Sequence, residues 1–307
     1  MEKFDNKKTV YLIDTYNLIF RAFFSFAQKP LITSYKMNVS AIYGFMNMLL
    51  KILNDYEPTY IACVQDTGEK TFREEIYEHY KANRPECPPD LIPQFDIISS
   101  FIDSLSIKRL YKPGLEADDV IGTAARIANE KGYFVKIISS DRDLFQLISD
   151  KTRVICLKKG ISEIIEYDRE ALKADLGVLP EQIVPYKALV GDPSDNIPGV
   201  RGIGPKAAEE LLSKYKTLDA IYENLPAIGG RRQQLLEAGR ESAYLSLDLA
   251  RIRLDGDLEI DIDRLANFNP AVDKLHDLCV QYEQKKMFDR YNLHFEKRSE
   301  FFYGDTR

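Results

Sequence analysis

Three short apolar runs stand out in the first half of the chain: Thr9–Ile13 (TVYLI), Tyr60–Gln65 (YIACVQ) and Tyr133–Ser139 (YFVKIIS). Each is rich in β-branched or aromatic residues, as strands buried in a parallel sheet are. Helical spacing predicts helices over Val39–Asn54, Pro93–Leu105, Ala117–Lys131 and Leu144–Ser149. Strand, helix, strand implies an α/β domain with a twisted, mainly parallel sheet flanked by helices. Thr152–Leu157 and Glu163–Tyr167 read as an edge hairpin turning at Lys158–Ser162. Asp66–Pro113 is highly charged with little strand pattern, and reads as a partly helical insertion above the sheet. After about Leu176 the texture changes to short helices joined by Gly- and Pro-bearing turns: Glu181–Val190, Lys206–Tyr215, Thr217–Glu223, Arg231–Gly239 and Glu241–Ala250. A last helical segment, Pro270–Tyr291, is expected to pack back on the first domain. The expected organisation is an α/β domain over 1–176 with an insertion at 67–113, a small helical region over 177–262, and a C-terminal segment over 263–307.

Composition narrows the class. The chain has 307 residues, is 45% hydrophobic and carries a net charge of −6. That supports a sizeable core and argues against coating nucleic acid with a uniformly basic surface. A local basic groove remains compatible. The cysteines Cys63, Cys87, Cys156 and Cys279 lie far apart with no CxxC, which points to a reduced, cytoplasmic chain. The expectation is neither a signal peptide nor a membrane span.

Acidic residues change the picture most. Each of the three runs ends at an aspartate: Asp14, Asp66 and Asp141. In a parallel sheet those ends share one edge, where open α/β folds place ligands. With 48 acidic residues in 307, three acidic ends arise by chance roughly once in 250. Helix capping is the competing explanation. Glu116, Asp118 and Asp119 open a helix, Asp143 follows Asp141 by two, and Asp192 and Asp195 sit in a tight turn. Nine bare anions cannot share one cleft, since two charges 4 Å apart repel by ~4 kcal/mol at an effective dielectric near 20. Oxygen ligands without His or Cys select Mg²⁺, with Mn²⁺ as the alternative. Two such ions ~3.5–4 Å apart suit phosphodiester hydrolysis. His79, His276 and His294 show no metal spacing, and no Walker-type loop is present.

Two further features bear on binding. Gly199-Val-Arg201-Gly202-Ile-Gly204-Pro-Lys206 lies between two helices. A glycine hairpin feeding a helix N-terminus offers backbone N–H groups to phosphate, and Lys206 and Arg201 add positive charge. In the insertion, Arg73, Tyr77, Tyr80, Lys81 and Arg84 recur at helical steps. Such a stripe could stack an unpaired base and clamp its phosphate. A solvated helix fits the same spacing, because Glu74, Glu75 and Glu78 lie alongside. Arg21, with Phe20, Phe23 and Phe24, is a weaker case in which the phenylalanines read as core.

FREEIYEHYKANR, GLEADDVIG, SSDRDLFQL and ALVGDPSDNIPGVRGIGPKAAEELL, in this order, resemble the bacterial 5′ nuclease family. This comprises the N-terminal 5′→3′ exonuclease domain of DNA polymerase I and stand-alone flap endonucleases. The resemblance implies a PIN-like 5′ nuclease fold with a helix–three-turn–helix module. It implies a metal-binding set of Asp14, Asp66, Glu116, Asp118, Asp119, Asp141, Asp143, Asp192 and Asp195. It implies Lys81 and Arg84 as groups acting on the scissile phosphate, and Tyr80 beside them. It implies a hairpin at Gly199–Gly204 that grips duplex DNA, with K⁺ bound by backbone carbonyls, and a gateway at Thr67–Pro113. Thr15 and Ala207 depart from the family's usual small residue and threonine. The implied activity is structure-selective 5′→3′ exonuclease and flap cleavage in primer removal and repair. The expected substrates are 5′ flaps, nicked or 5′-ended duplexes and RNA–DNA primer junctions, cut by a monomer that works beside a DNA polymerase. The chain reads as a stand-alone enzyme or an isolated fragment. A non-catalytic junction binder and an RNA-directed nuclease are the competing readings.

Overall fold

The computed structural model describes residues 5–158, 163–266 and 269–303. Six strands form one sheet: β1 (Thr9–Asp14), β2 (Tyr60–Val64), β3 (Lys108–Leu110), β4 (Phe134–Ile138), β5 (Thr152–Leu157) and β6 (Ile164–Tyr167). Their order is β3-β2-β1-β4-β5-β6. The first five are parallel, and β6 runs antiparallel to β5 as the predicted edge hairpin requires. Part of that hairpin's turn lies outside the described residues. The sheet thus belongs to the predicted α/β class. The sequence pattern did not disclose β3: it has three residues, two of them basic, and sits at the open edge.

Helices cover both faces. On one side lie α1 (Thr15–Ser25), α2 (Ser40–Tyr56) and α4 (Ile92–Ser104), while the insertion's single turn, α3 (Phe72–Ile76), meets Asp119 through Arg73. On the other lie α5 (Ala117–Glu130) and α6 (Arg169–Leu176). Tyr11 and Ile13 of β1 face the α1, α2 and α4 layer, while Val10 and Leu12 face α5. This period-two alternation between two apolar layers explains why the strand is wholly buried. The helix expected over Leu144–Ser149 is a 3₁₀ turn, Asp143–Leu147.

The helical region holds α7 (Ile183–Val190), α8 (Pro205–Tyr215), α9 (Leu218–Glu223), α10 (Leu225–Ile228), α11 (Gly230–Ala238) and α12 (Arg240–Ala250) around a separate apolar core. The C-terminal segment forms α13 (Val272–Gln281) and α14 (Lys285–Tyr303). Leu275, Cys279, Met287 and Tyr291 join the core under α2 and α4. His294 is buried and bonds Asn54 at 2.7 Å, a structural role. Among the described residues no helix is long and apolar enough to cross a membrane.

Candidate active site

The strand order reverses direction at β1, with β2 on one side and β4 on the other. Open α/β sheets form their ligand crevice at that point, beyond the carboxyl ends of the strands. Asp14 ends β1 there. It caps α1 by accepting the Asn17 N–H at 3.3 Å, and it accepts the Ser139 hydroxyl, just past β4, at 2.7 Å. Burial pushes its carboxyl up to about 7, with Asp141 and Asp66 adding to the rise and Ser139 opposing it. Asp66, beyond β2, accepts the Ala117 N–H at 2.8 Å and so seats the start of α5 beside the crevice. Thr15 is fully buried and its hydroxyl turns back to the Ile13 carbonyl, so this departure does not intrude on the crevice.

The opening of α5 brings Glu116 and Asp118 to the same edge. Asp118 is held well above the usual carboxylate range, first by lost hydration and then by Asp141, Asp14, Asp143 and Glu116. None of the bonds seen among the described residues gives its carboxylate a partner. Asp143 rises to about 6 through burial, although Lys187 works against the rise. Lys187, on α7, bridges Asp143 and Asp192, lying 2.6 Å from the latter. Burial alone would raise Asp192, but the Lys187 bond and Ser194 hold it below its ordinary value. Sequence reading did not single out Lys187. Its only local signal is a place five residues before Asp192, and Asp143 is distant in the chain.

A second rim carries cations. Lys81 donates to Glu116 at 2.9 Å, and Arg84 meets Asp195 at 2.5 Å. Burial opposes the Lys81 charge, but Glu116 and Asp195 raise its pKa above the ordinary value. Tyr80 donates toward Glu116 at 3.2 Å or Asp195 at 3.3 Å.

Four expectations need correction. First, Arg73 to Arg84 do not form one helical stripe. The helix ends at Ile76, Tyr77 is extended, and Lys81 takes a left-handed backbone (φ 57). Second, Arg73 is no DNA contact: it is 2% exposed and donates to Asp119 at 2.7 and 2.8 Å and to the Leu249 and Arg251 carbonyls. Third, Asp119 is consumed by that pair. It also accepts the Arg253 and Glu116 N–H groups, so it anchors the start of α5. Fourth, Tyr80 is 5% exposed and offers no open ring for stacking. Arg21 reaches Ser140 at 3.3 Å and the Lys158 carbonyl on the β4–β5 side of the crevice.

The glycine hairpin divides into two parts. Gly199 is buried against α12: its N–H goes to Ser246 and its carbonyl accepts from Ser242. It therefore has no amide left for phosphate. Arg201, Gly202, Gly204 and Lys206 are exposed, and Ile203 anchors the loop from below. Gly204 leads into α8 without a side-chain cap, leaving the helix N-terminus open.

Residues 9–177 match the family described as 5′-3′ exonuclease, N-terminal resolvase-like domain, and 178–273 match its C-terminal SAM fold. The chain belongs to the 5′-3′ exonuclease family. A Bacillus subtilis 5′-3′ exonuclease is 38% identical over 250 residues, covering 80% of this chain and 84% of that protein. A Bacillus caldotenax DNA polymerase I is 42% identical over 262 residues, 85% of this chain but 30% of its own length. The chain thus spans about a third of the curated polymerase relatives it matches. The bacteriophage T5 flap endonuclease, solved with DNA and metal ions, shares the fold at a TM-score of 0.64 and 22% identity. That likeness covers 93% of this chain and 99% of that one. The flap endonuclease-1 of Methanococcus jannaschii shares it at 0.61 and 17% identity, over 94% of this chain and 93% of that one. Family membership makes the chain a nuclease, a hydrolase.

Its donors suit hard divalent cations. All are oxygens, and the carboxylates of Asp14 and Asp118 have no protein cation bonded to them in any described contact. Among the described residues no three such groups close on a single point.

Proposed function

We propose that the chain is a Mg²⁺-dependent, structure-selective 5′ nuclease that cuts 5′ flaps, nicked and 5′-ended duplex DNA and primer junctions, in primer removal and repair. The observation that carries this is the pair Asp14, at the end of β1, and Asp118, at the start of α5, neither bonded to a protein cation in any described contact, with Asp141 beside both and Lys81 and Arg84 on the rim. The metal set is Asp14, Asp66, Glu116, Asp118, Asp141, Asp143, Asp192 and Asp195, without Asp119. Bound divalent ions would supply activation of water and stabilisation of the leaving oxygen. The chain's own groups do the rest. Lys81 and Arg84 offset charge developing on the phosphate. Water's oxygen bonds to phosphorus as the bond to the 3′ oxygen breaks, leaving a 5′-phosphate and a 3′-hydroxyl. Arg201, Gly202, Gly204 and Lys206 hold duplex phosphates at the open N-terminus of α8. A K⁺ ion there would draw on hairpin carbonyls other than Gly199's, which Ser242 occupies. In this reading the chain is a cytoplasmic monomer working beside a polymerase, with the nuclease domain over 1–176 and the DNA-binding region over 177–262.

The test is cleavage of a 5′-labelled double-flap DNA with Mg²⁺, beside an EDTA control and Asp141→Asn. Metal-dependent cutting near the junction, lost in the variant, is expected. Junction binding without cleavage would favour a binder, and preferred cutting of single-stranded RNA would favour an RNA nuclease.

A further inference from the structure

Lys81 and Arg84 do not reach the crevice on a helix. They sit in a series of turns that must be fixed by something other than a helical ladder. Besides the Tyr80 and Arg84 contacts with the Asp195 carboxylate, three hydrogen bonds to backbone carbonyls tie this segment to the Asp192–Asn196 turn. The Lys81 N–H donates to the Asp195 carbonyl at 3.0 Å. Asn83 Nδ2 donates to the Pro193 carbonyl at 2.6 Å. In the opposite sense, Asn196 Nδ2 donates to the His79 carbonyl at 2.7 Å. Each amide thus reaches across to the other segment's backbone, on either side of the Lys81 bond. Both acceptors are carbonyl oxygens, so only the amide end of each asparagine can serve. Asn196 adopts a left-handed backbone (φ 57), which asparagine tolerates better than most residues. Neither asparagine reaches a carboxylate or the open crevice in any described contact.

We propose that Asn83 and Asn196 form a reciprocal amide latch that positions Lys81 beside Glu116 and Arg84 beside Asp195. They are positioning residues, acting through Lys81 and Arg84. Each bond is partly exposed and adds little to stability. Its worth lies in placing a cation, where a displacement near 1 Å can cost about 10²-fold in rate.

The inference rests on the proposed nuclease function, and one experiment separates the two. Single-turnover cleavage of the flap DNA with Mg²⁺ is measured for wild type and Asn83→Ala/Asn196→Gly, glycine keeping the left-handed backbone. Both are repeated in a Lys81→Ala background, alongside duplex binding in EDTA and Tm. The latch predicts a loss of about tenfold or more in rate, with binding and Tm nearly unchanged. It also predicts that this loss shrinks once Lys81 is gone, because the part that runs through Lys81 is then already lost. An unchanged rate, an equal loss in both backgrounds, or a loss that tracks weaker binding or lower Tm would each overturn it. Wild type that cuts no DNA would overturn the nuclease reading, and the latch with it.

Discussion

The crevice has two halves built from the same group, the carboxylate, and treated oppositely. On the β1–β4 side, Asp14 and Asp118 have no cation bonded to them in any described contact, and their pKa values are driven up by burial, with Asp141 adding to both. On the α7 and gateway side, Asp143, Asp192, Asp195 and Glu116 each hold a lysine or arginine. The first half holds no cation of the chain's own; the second shares its carboxylates with lysine and arginine. A carboxylate's meaning here lies in its partner, and the partner is set by the fold.

The sharpest way to break this contrast is to neutralise one member of the bare half. Asp118→Asn should cut the single-turnover rate by about 10³-fold, the several kcal/mol of a metal contribution taken at 1.36 kcal/mol per tenfold. The same change should raise Tm in EDTA at pH 8, because it removes a repelled charge. A lower metal-free Tm would show that Asp118 is not repelled. The paired half predicts the reverse. Arg73→Ala leaves the fully buried Asp119 uncompensated and should cost roughly 3–5 kcal/mol by denaturant unfolding. A loss under about 1 kcal/mol would return Asp119 to the metal set.

Titration sharpens the contrast further. Asp14 is pushed up to about 7, against an unfolded value near 4. Between those pH values the folded chain keeps a proton the unfolded chain has lost, so stability without metal falls as pH rises. Tm in EDTA should therefore drop from pH 5 to pH 8, and Mg²⁺ should raise Tm more at pH 8 than at pH 5. An equal Mg²⁺ shift at both would contradict a bare, proton-holding half. The smallest effect belongs to the hairpin. Lys206→Glu should weaken duplex binding and lower the salt slope by about one, and an unaltered slope would make the hairpin purely structural.

The strands and the acidic edge were legible because each signal is local. A continuous apolar run ending in aspartate needs no knowledge of the rest of the chain. What stayed hidden depends on distance. Arg73 and Arg84 share one spacing pattern, yet Asp119 buries the first and the crevice rim exposes the second. Lys187 resembles any helix lysine until Asp143, far off in sequence, is brought beside it. The helix over Thr15–Ser25 begins directly at the strand's last residue, where Asp14 serves as strand end and helix cap at once. The edge strand at Lys108–Leu110 is too short and too charged to show a pattern.

The contact between Gly191 and Gly199 bears on anyone who would rebuild this molecule. A methyl on Gly191 would fall 2.6 Å from the Ile197 carbonyl, and one on Gly199 would collide with the Gly191 amide. Two backbones in such contact leave no seam between the acidic turn and the duplex grip. A different DNA-binding module could not be spliced in at the hairpin alone. The transplant would have to cut before α7 and after α12, and carry Lys187, the turn and both supporting serines as one piece.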